Sequence, residues 1–260
     1  MKVGIIGYGI IGQATASLFQ DVVVYDPPRG YHDTSGLSNC ELVFVCVPTP
    51  TVNGRSDLTT LQTVLAELIP QLSDQVVCIR STILPGTTKN LQQRWPQTAF
   101  AYNPEFLRTH RAFEDALKPY RVVVGADAKW IRDTMAKVYR ASRACIPQLV
   151  ITDSSTAEMI KYVANCFLAM KITYANEIFD ACNALGVNYE QVRQGVSLDP
   201  RIGEGDELVV DPNSRGFRDE CLPKDLDAFI SFMAEQGLSL QIFDVIREIN
   251  CKLLNGMPKS

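Results

Sequence analysis

Histidine is scarce in this sequence, limited to His32 and His110, and none of the eight cysteines stands in a Cys-x-x-Cys pair. No zinc-ligand set of the usual spacing can be assembled from these residues, so no metal centre is expected. Basic charge is not in excess either. The formal net charge is −4, which leaves no cationic stripe for a phosphate backbone and argues against nucleic acid as a partner. No stretch reaches the roughly 18 uninterrupted apolar residues of a membrane span. Internal repeats and low-complexity tracts are missing, and 46% apolar with 21% charged residues is the balance of an ordinary folded chain. A metabolite is the partner left to consider.

At the N-terminus Lys2, an apolar stretch and Ala14-Thr15-Ala16 imitate a secretory signal. Glycines at 4, 7, 9 and 12 break that run at the spacing of a nucleotide loop, and Val22-Val23-Val24-Tyr25 follows as a strand, so export is not expected. Cys46, Cys78 and Cys166 lie inside apolar segments, as small buried side chains do. Reduced thiols in a cytoplasmic chain are the natural reading.

With 260 residues the chain is near the size at which one core divides into two. Up to residue 152, β-branched runs alternate with helical patterns, the signature of an α/β, Rossmann-like, doubly wound parallel sheet. Strands are predicted at 2–6, 22–25, 42–47, 76–80, 98–102, 121–124 and 148–151, with amphipathic helices at 57–69 and 127–139. From 153 onward the texture is helical. Residues 154–185 hold neither proline nor glycine, which predicts one long helix ended by Gly186 that connects two domains or forms a subunit contact. Helices are also expected at 189–195 and from Pro223. Between them, 199–222 is irregular, and a loop of that length usually has a function.

Gly7-Tyr8-Gly9-Ile10-Ile11-Gly12 follows a strand and opens a helix, so backbone amides, those of Ile10 and Ile11 included, face any phosphate placed there. Gly7 suits the tight turn, Gly9 the approach of a pyrophosphate, and Gly12 the packing of helix on strand. Asp26, at the end of the second strand, suits an adenosine ribose and repels a 2′-phosphate. NAD is therefore favoured over NADP, although Arg29 nearby keeps NADP open. In the second half, Lys161 and Asn165 stand four apart on the long helix, so they share a face and can grip one hydroxyl. Spacing alone favours a solvated lysine and a helix-interior asparagine. Cys221 differs from the other cysteines in its polar, turn-rich surroundings, between Glu220 and Pro223-Lys224-Asp225. A helix start and Lys224 are two means of stabilising a thiolate there, and a bystander cysteine is the alternative.

Several segments, in order, resemble the UDP-glucose/GDP-mannose dehydrogenases: Val47-Pro48-Thr49-Pro50, residues 81–88, Asn103-Pro104-Glu105-Phe106-Leu107-Arg108, residues 158–165, Asn176-Glu177, residues 199–203, and Cys221-Leu222-Pro223-Lys224-Asp225. The resemblance implies oxidation of C6 of a nucleotide-linked sugar from alcohol to carboxylate, with two hydrides passing to two successive NAD molecules. It implies that Cys221 traps the aldehyde and carries the thioester, that Lys161 and Asn165 clamp the oxyanion, that Thr82 and Asp225 position water or protons, and that Glu105 is the base for hydrolysis. By the same resemblance Val47, Thr49, Thr82 and Lys224 belong to the cofactor site, and Phe106, Leu107, Arg108 and Phe217 to the substrate site. Arg201 is similar to an arginine that reaches a neighbouring subunit's substrate, which implies a homodimer through the 154–185 helix.

The pattern also has departures. The family's third, nucleotide-binding domain is expected to be absent, because the sequence stops at Ser260. Arg218 and Asp219 stand where the family has two glycines, and Thr109-His110 replaces Glu-Gly after Arg108. A two-electron β-hydroxyacid-type dehydrogenase using Lys161 and Asn165 therefore stays open as an alternative, as does a non-catalytic NAD-binding subunit.

Overall fold

The computed structural model describes residues 1–219 and 221–255, so Glu220 lies outside the described residues. In chain order the elements are β1 (Lys2–Ile6), α1 (Ile10–Ala16), β2 (Asp21–Tyr25), β3 (Leu42–Val45), β4 (Thr51–Val52), β5 (Arg55–Ser56), α2 (Thr59–Leu68), β6 (Val76–Ile79), α3 (Thr87–Arg94), β7 (Ala99–Tyr102), α4 (Ala112–Leu117), β8 (Val122–Gly125), α5 (Lys129–Arg140), β9 (Leu149–Thr152), α6 (Ser154–Leu185), α7 (Tyr189–Ser197), α8 (Leu222–Glu235) and α9 (Gln241–Asn255). Two compact units result: residues 1–50 with 56–161, and residues 51–55 with 162–260.

The first unit is built on a seven-stranded sheet in the order β2-β1-β3-β6-β7-β8-β9. Its strands are buried on both faces, which is why they read as continuous apolar runs. Val3, Ile5, Leu42, Phe44, Val76, Cys78, Val122 and Val124 pack with α1, α4 and α5. The alternate residues Val43, Val45, Val77, Ile79, Phe100, Tyr102 and Val123 pack with α2, α3 and the start of α6. All seven predicted strands form, to within two residues at each end. One expectation is corrected. The sheet is not wholly parallel, because β7 and β8 pair antiparallel at Tyr102 and Gly125. The connection from β7 to β8 contains a 3-10 turn at Thr109–Arg111 and the short α4, and an antiparallel pair does not require the helical crossover that a parallel pair demands.

The second unit is mainly helical. Its long helix α6 has the predicted limits, and Gly186 ends it with a left-handed φ of 68°. Tyr162 of α6 stacks on Phe229 of α8 at 5.6 Å, and Phe229 meets Phe243 of α9 edge-on. The unit also takes in most of a hairpin that the strand prediction missed, β4-β5. Asn53 and Gly54 both have positive φ there, 51° and 76°. That is the geometry of a tight two-residue hairpin turn, and an Asn-Gly pair is its usual sequence sign.

Candidate active site

In the first unit the site elements gather at the carboxyl ends of the strands, where open α/β sheets bind ligands. Gly7 turns with φ 85°. A β-carbon on Gly12 would lie 2.0 Å from the Gly7 carbonyl oxygen, so the close packing of α1 under β1 depends on glycine there. Gly9 has no atom within 4 Å of where its side chain would project, which leaves that flank of the turn open to a ligand. Asp26 faces the same turn: its Oδ2 accepts the Tyr8 amide at 2.6 Å and lies 3.4 Å from Arg29 Nε. An open glycine, an adjacent helix start carrying Ile10 and Ile11, and an acid at the end of β2 fit a dinucleotide.

The next two strand exits are stitched together. Thr49 Oγ1 donates to the Thr82 carbonyl at 2.8 Å, and Ser81 Oγ donates to the Val47 carbonyl at 2.6 Å. Val47 and Thr49 are buried and Thr82 is half-buried. Glu158 of α6, fully buried, anchors the segment that follows by accepting the Gly86 amide at 2.6 Å, the Thr88 amide at 2.7 Å and the Thr88 hydroxyl at 2.6 Å. Burial raises its pKa even against those three bonds. Sequence reading gave Glu158 no role, although an acid on an otherwise apolar helix face is a signal that it has buried donors to meet.

Beyond β7 lies a buried ion pair. Lys161 Nζ is 2.8 Å from both Oε1 and the backbone carbonyl of Glu105, while Glu105 Oε2 accepts the Leu107 amide at 2.8 Å. Burial pushes the Glu105 carboxyl upward, but the Lys161 charge and its hydrogen bond, the Leu107 amide and the Arg80 charge together hold it below its ordinary range. A carboxylate held low is a poor base, so its immediate effect here is to hold Lys161. Phe106 lies beneath two cations, with Arg121 4.0 Å and Lys161 5.6 Å from its ring. Arg108 grips Asp115 bidentately at 2.7 and 3.0 Å, and Leu107 is half-buried. Arg80, also buried, donates to Asn103 and, at 2.6 Å, to the Tyr139 hydroxyl.

In the second unit the expected residues form another constellation. Asn165 Nδ2 donates to Asp225 Oδ2 at 2.6 Å, and the other oxygen of Asp225 pairs with Lys224. Asn165 and Asp225 are buried, the latter 1% exposed, while Lys224 is half-buried at the outer end of this chain of three groups. The Lys224 carbonyl accepts the Thr51 hydroxyl at 2.9 Å, which ties the hairpin to α8. Cys221 is the half-buried N-cap residue of α8, where the helix field favours negative charge. Asp219 Oδ1 accepts the adjacent Leu222 amide at 3.1 Å, so a carboxylate already occupies part of that field. Phe217 is buried, whereas Arg201 is largely exposed and bonded to Asp199 at 2.5 Å. A cavity of about 610 Å³ in this unit, lined by Gln191, Gln194, Ser197 and Glu204 among others, contains none of the expected site residues.

Gly7, Asp26, Thr82, Glu105 and Lys161 thus belong to the first unit, and Asn165, Arg201, Cys221, Lys224 and Asp225 to the second. Elsewhere burial raises the pKa of Cys46 to about 11 and of Cys166 to about 12, so these thiols are structural. No helix among the described residues is long and apolar enough to cross a membrane.

Residues 31–143 match the NAD binding domain of the UDP-glucose/GDP-mannose dehydrogenase family, and residues 155–252 match its central domain. The UDP-glucose 6-dehydrogenase of Rickettsia bellii is 34% identical over 220 residues, covering 82% of this chain and 50% of that protein. That of Rhizobium meliloti is 34% identical over 221 residues, covering 81% and 50%. Among solved structures, a UDP-glucose dehydrogenase from the hyperthermophilic archaeon Pyrobaculum islandicum matches with a TM-score of 0.83 at 28% identity, covering 96% of this chain and 67% of that one. The chain spans about half the length of the curated relatives it matches.

Proposed function

Because the chain belongs to the UDP-glucose/GDP-mannose dehydrogenase family, we propose that it oxidises C6 of a nucleotide-linked sugar, of the UDP-glucose kind, to the carboxylate. The observation that carries this reading is the chain Asn165–Asp225–Lys224, with Asp225 buried and Lys224 and Asp225 three and four residues after a half-buried thiol at a helix start. Two successive NAD molecules, held at the Gly7–Gly12 turn and Asp26, would accept one hydride each. Lys161, held by Glu105, and Asn165, held by Asp225, stabilise the developing alkoxide. The Cys221 thiolate adds to the aldehyde carbon to give a thiohemiacetal; loss of a second hydride from that carbon gives a thioester. Water positioned by Thr82 and Asp225 adds to the thioester carbonyl and gives its proton to Asp225, which releases the acid and restores the thiol, while Glu105 keeps Lys161 in place.

Residues 1–152 serve the cofactor in this reading, and 153–260 serve the substrate and a second copy of the chain. Val163, Phe167 and Tyr174, spaced 4 and 7 residues apart on α6, are each more than half exposed, an apolar stripe suited to an isologous dimer. Arg201 would then reach across to the neighbouring subunit. The eight reduced thiols suit the cytoplasm.

A panel of UDP- and GDP-sugars incubated with NAD tests the proposal. Two NADH per sugar consumed and a uronate product are expected, with uronate lost in Cys221→Ala. One NADH per substrate, with activity surviving in Cys221→Ala, would overturn it and indicate a β-hydroxyacid-type reaction.

A further inference from the structure

The segment that leads to Cys221 is irregular, yet the backbone of Arg215-Gly216-Phe217 is gripped by side chains from two helices. Asn250 of α9, 5% exposed, accepts the Phe217 amide on Oδ1 at 2.8 Å and donates from Nδ2 to the Phe217 carbonyl at 2.9 Å. Both backbone groups of one residue are thus satisfied by one side chain, as a neighbouring strand would satisfy them. Asn176 of α6, 2% exposed, accepts Arg215 Nε at 2.5 Å and the Gly216 amide at 3.4 Å. Arg215 also donates to the Asn176 carbonyl at 3.0 Å and to Asp180 at 2.9 Å. Gly216 has φ 71°, and a β-carbon there would lie 2.5 Å from Asn250 Oδ1. Glycine is needed both for the turn and for the approach of the asparagine.

Only residues 218–220 separate the clamped Phe217 from Cys221, and the Asp219–Leu222 bond ties the far end of this tether to α8. We propose that Asn250, with Asn176 beside it, is a positioning residue that fixes the path of the backbone into Cys221 and so aims the thiol at the aldehyde carbon. The inference rests on the reading of Cys221 as nucleophile. Aim affects only the steps that involve sulfur. A displacement of the order of 1 Å in a reacting atom lowers rates by up to about a hundredfold, whereas the first hydride transfer does not use the thiol.

The test is the partition of product between aldehyde and acid in Asn250→Ala and Asn250→Asp. Asp keeps the acceptor for the Phe217 amide and loses the donor to its carbonyl when ionised. Aldehyde trapped per acid formed is expected to rise about tenfold in the Ala variant and less in the Asp variant, with the rate of the first NADH changed less than twofold. Equal loss of both oxidations, or an unchanged partition in folded protein, would overturn the inference; should the Ala variant not fold, the Asp variant carries the measurement. Cys221→Ala separates this from failure of the parent reading. If that variant still makes acid, the thiol mechanism is wrong, and the clamp is then judged by alkylation of Cys221 with iodoacetamide in a Cys145→Ser/Cys251→Ser background. Loosening by Asn250→Ala is expected to speed that alkylation at least about threefold, and an unchanged rate would show that the clamp does not set the path of the thiol.

Discussion

In the first unit the buried polar groups mostly answer one another across elements: Lys161 on Glu105, Glu158 on the amides of Gly86 and Thr88, Arg80 on Asn103 and Tyr139. In the second unit, apart from Asn165–Asp225–Lys224 and the Arg215–Asp180 pair, the backbone of the segment leading to Cys221 is held by neutral amides that reach from helices. The difference lies in how each arrangement fails. A buried charge that loses its partner stays charged and costs several kcal/mol, whereas a lost amide clamp forfeits one or two ordinary hydrogen bonds of about 0.5–1.5 kcal/mol each. The charged groups buried in the first unit are therefore fixed in an all-or-none way, and the thiol-bearing segment can be tuned.

The contrast can be broken most sharply at Glu105. Removing its carboxylate in Glu105→Ala strands the Lys161 ammonium and is expected to destabilise the chain by about 3–5 kcal/mol, read from the urea midpoint; a loss below about 1 kcal/mol would show that the pair is not the anchor described. Gly216→Ala comes next. It forces a side chain into left-handed backbone and against Asn250, and about 1–3 kcal/mol of lost stability is expected by thermal unfolding. Third, Glu105 ties stability to pH. Its folded pKa is lowered from 4.5, so its contribution is complete above that value and disappears as pH falls through the lower folded value. Acid unfolding followed by circular dichroism should be steeper in that window for the native chain than for Glu105→Gln, and identical slopes would contradict the assignment. The smallest effect is expected at Asp219, where removing the charge in Asp219→Asn leaves the start of α8 to the thiolate. Alkylation of Cys221 should quicken about two- to fivefold at constant pH, and slowing would mean that the carboxylate orders the thiol more than it opposes it.

What could be read from sequence follows the same division. The strands of the first unit are apolar on both faces and bounded by turns, so their positions were plain. The glycine turn and Asp26 were legible because each glycine answers a local steric demand. The antiparallel β8 was not, since strand direction is set by partners distant in sequence and leaves no mark on a four-residue apolar run. The clamp was illegible for a related reason. Asn250 falls one turn after Ile246, which is buried, and a polar residue at that spacing signals a buried partner without naming it. Asn53-Gly54 is a local turn signal, but the two-residue strands beside it are too short for periodicity to register.

The reversed strand β8 has a consequence for how this chain can be varied. Since Tyr102 faces Gly125 across an antiparallel pair, the excursion through residues 103–121 departs from one rim of the sheet and comes back to that rim. Its two ends are near neighbours, as the Phe106–Arg121 contact attests. Such a stretch can be exchanged for the matching stretch of a relative without re-threading any other connection of the sheet, provided that Arg108 and Asp115 travel together and that Asn103 and Glu105, which bond Arg80 and Lys161 outside it, are kept.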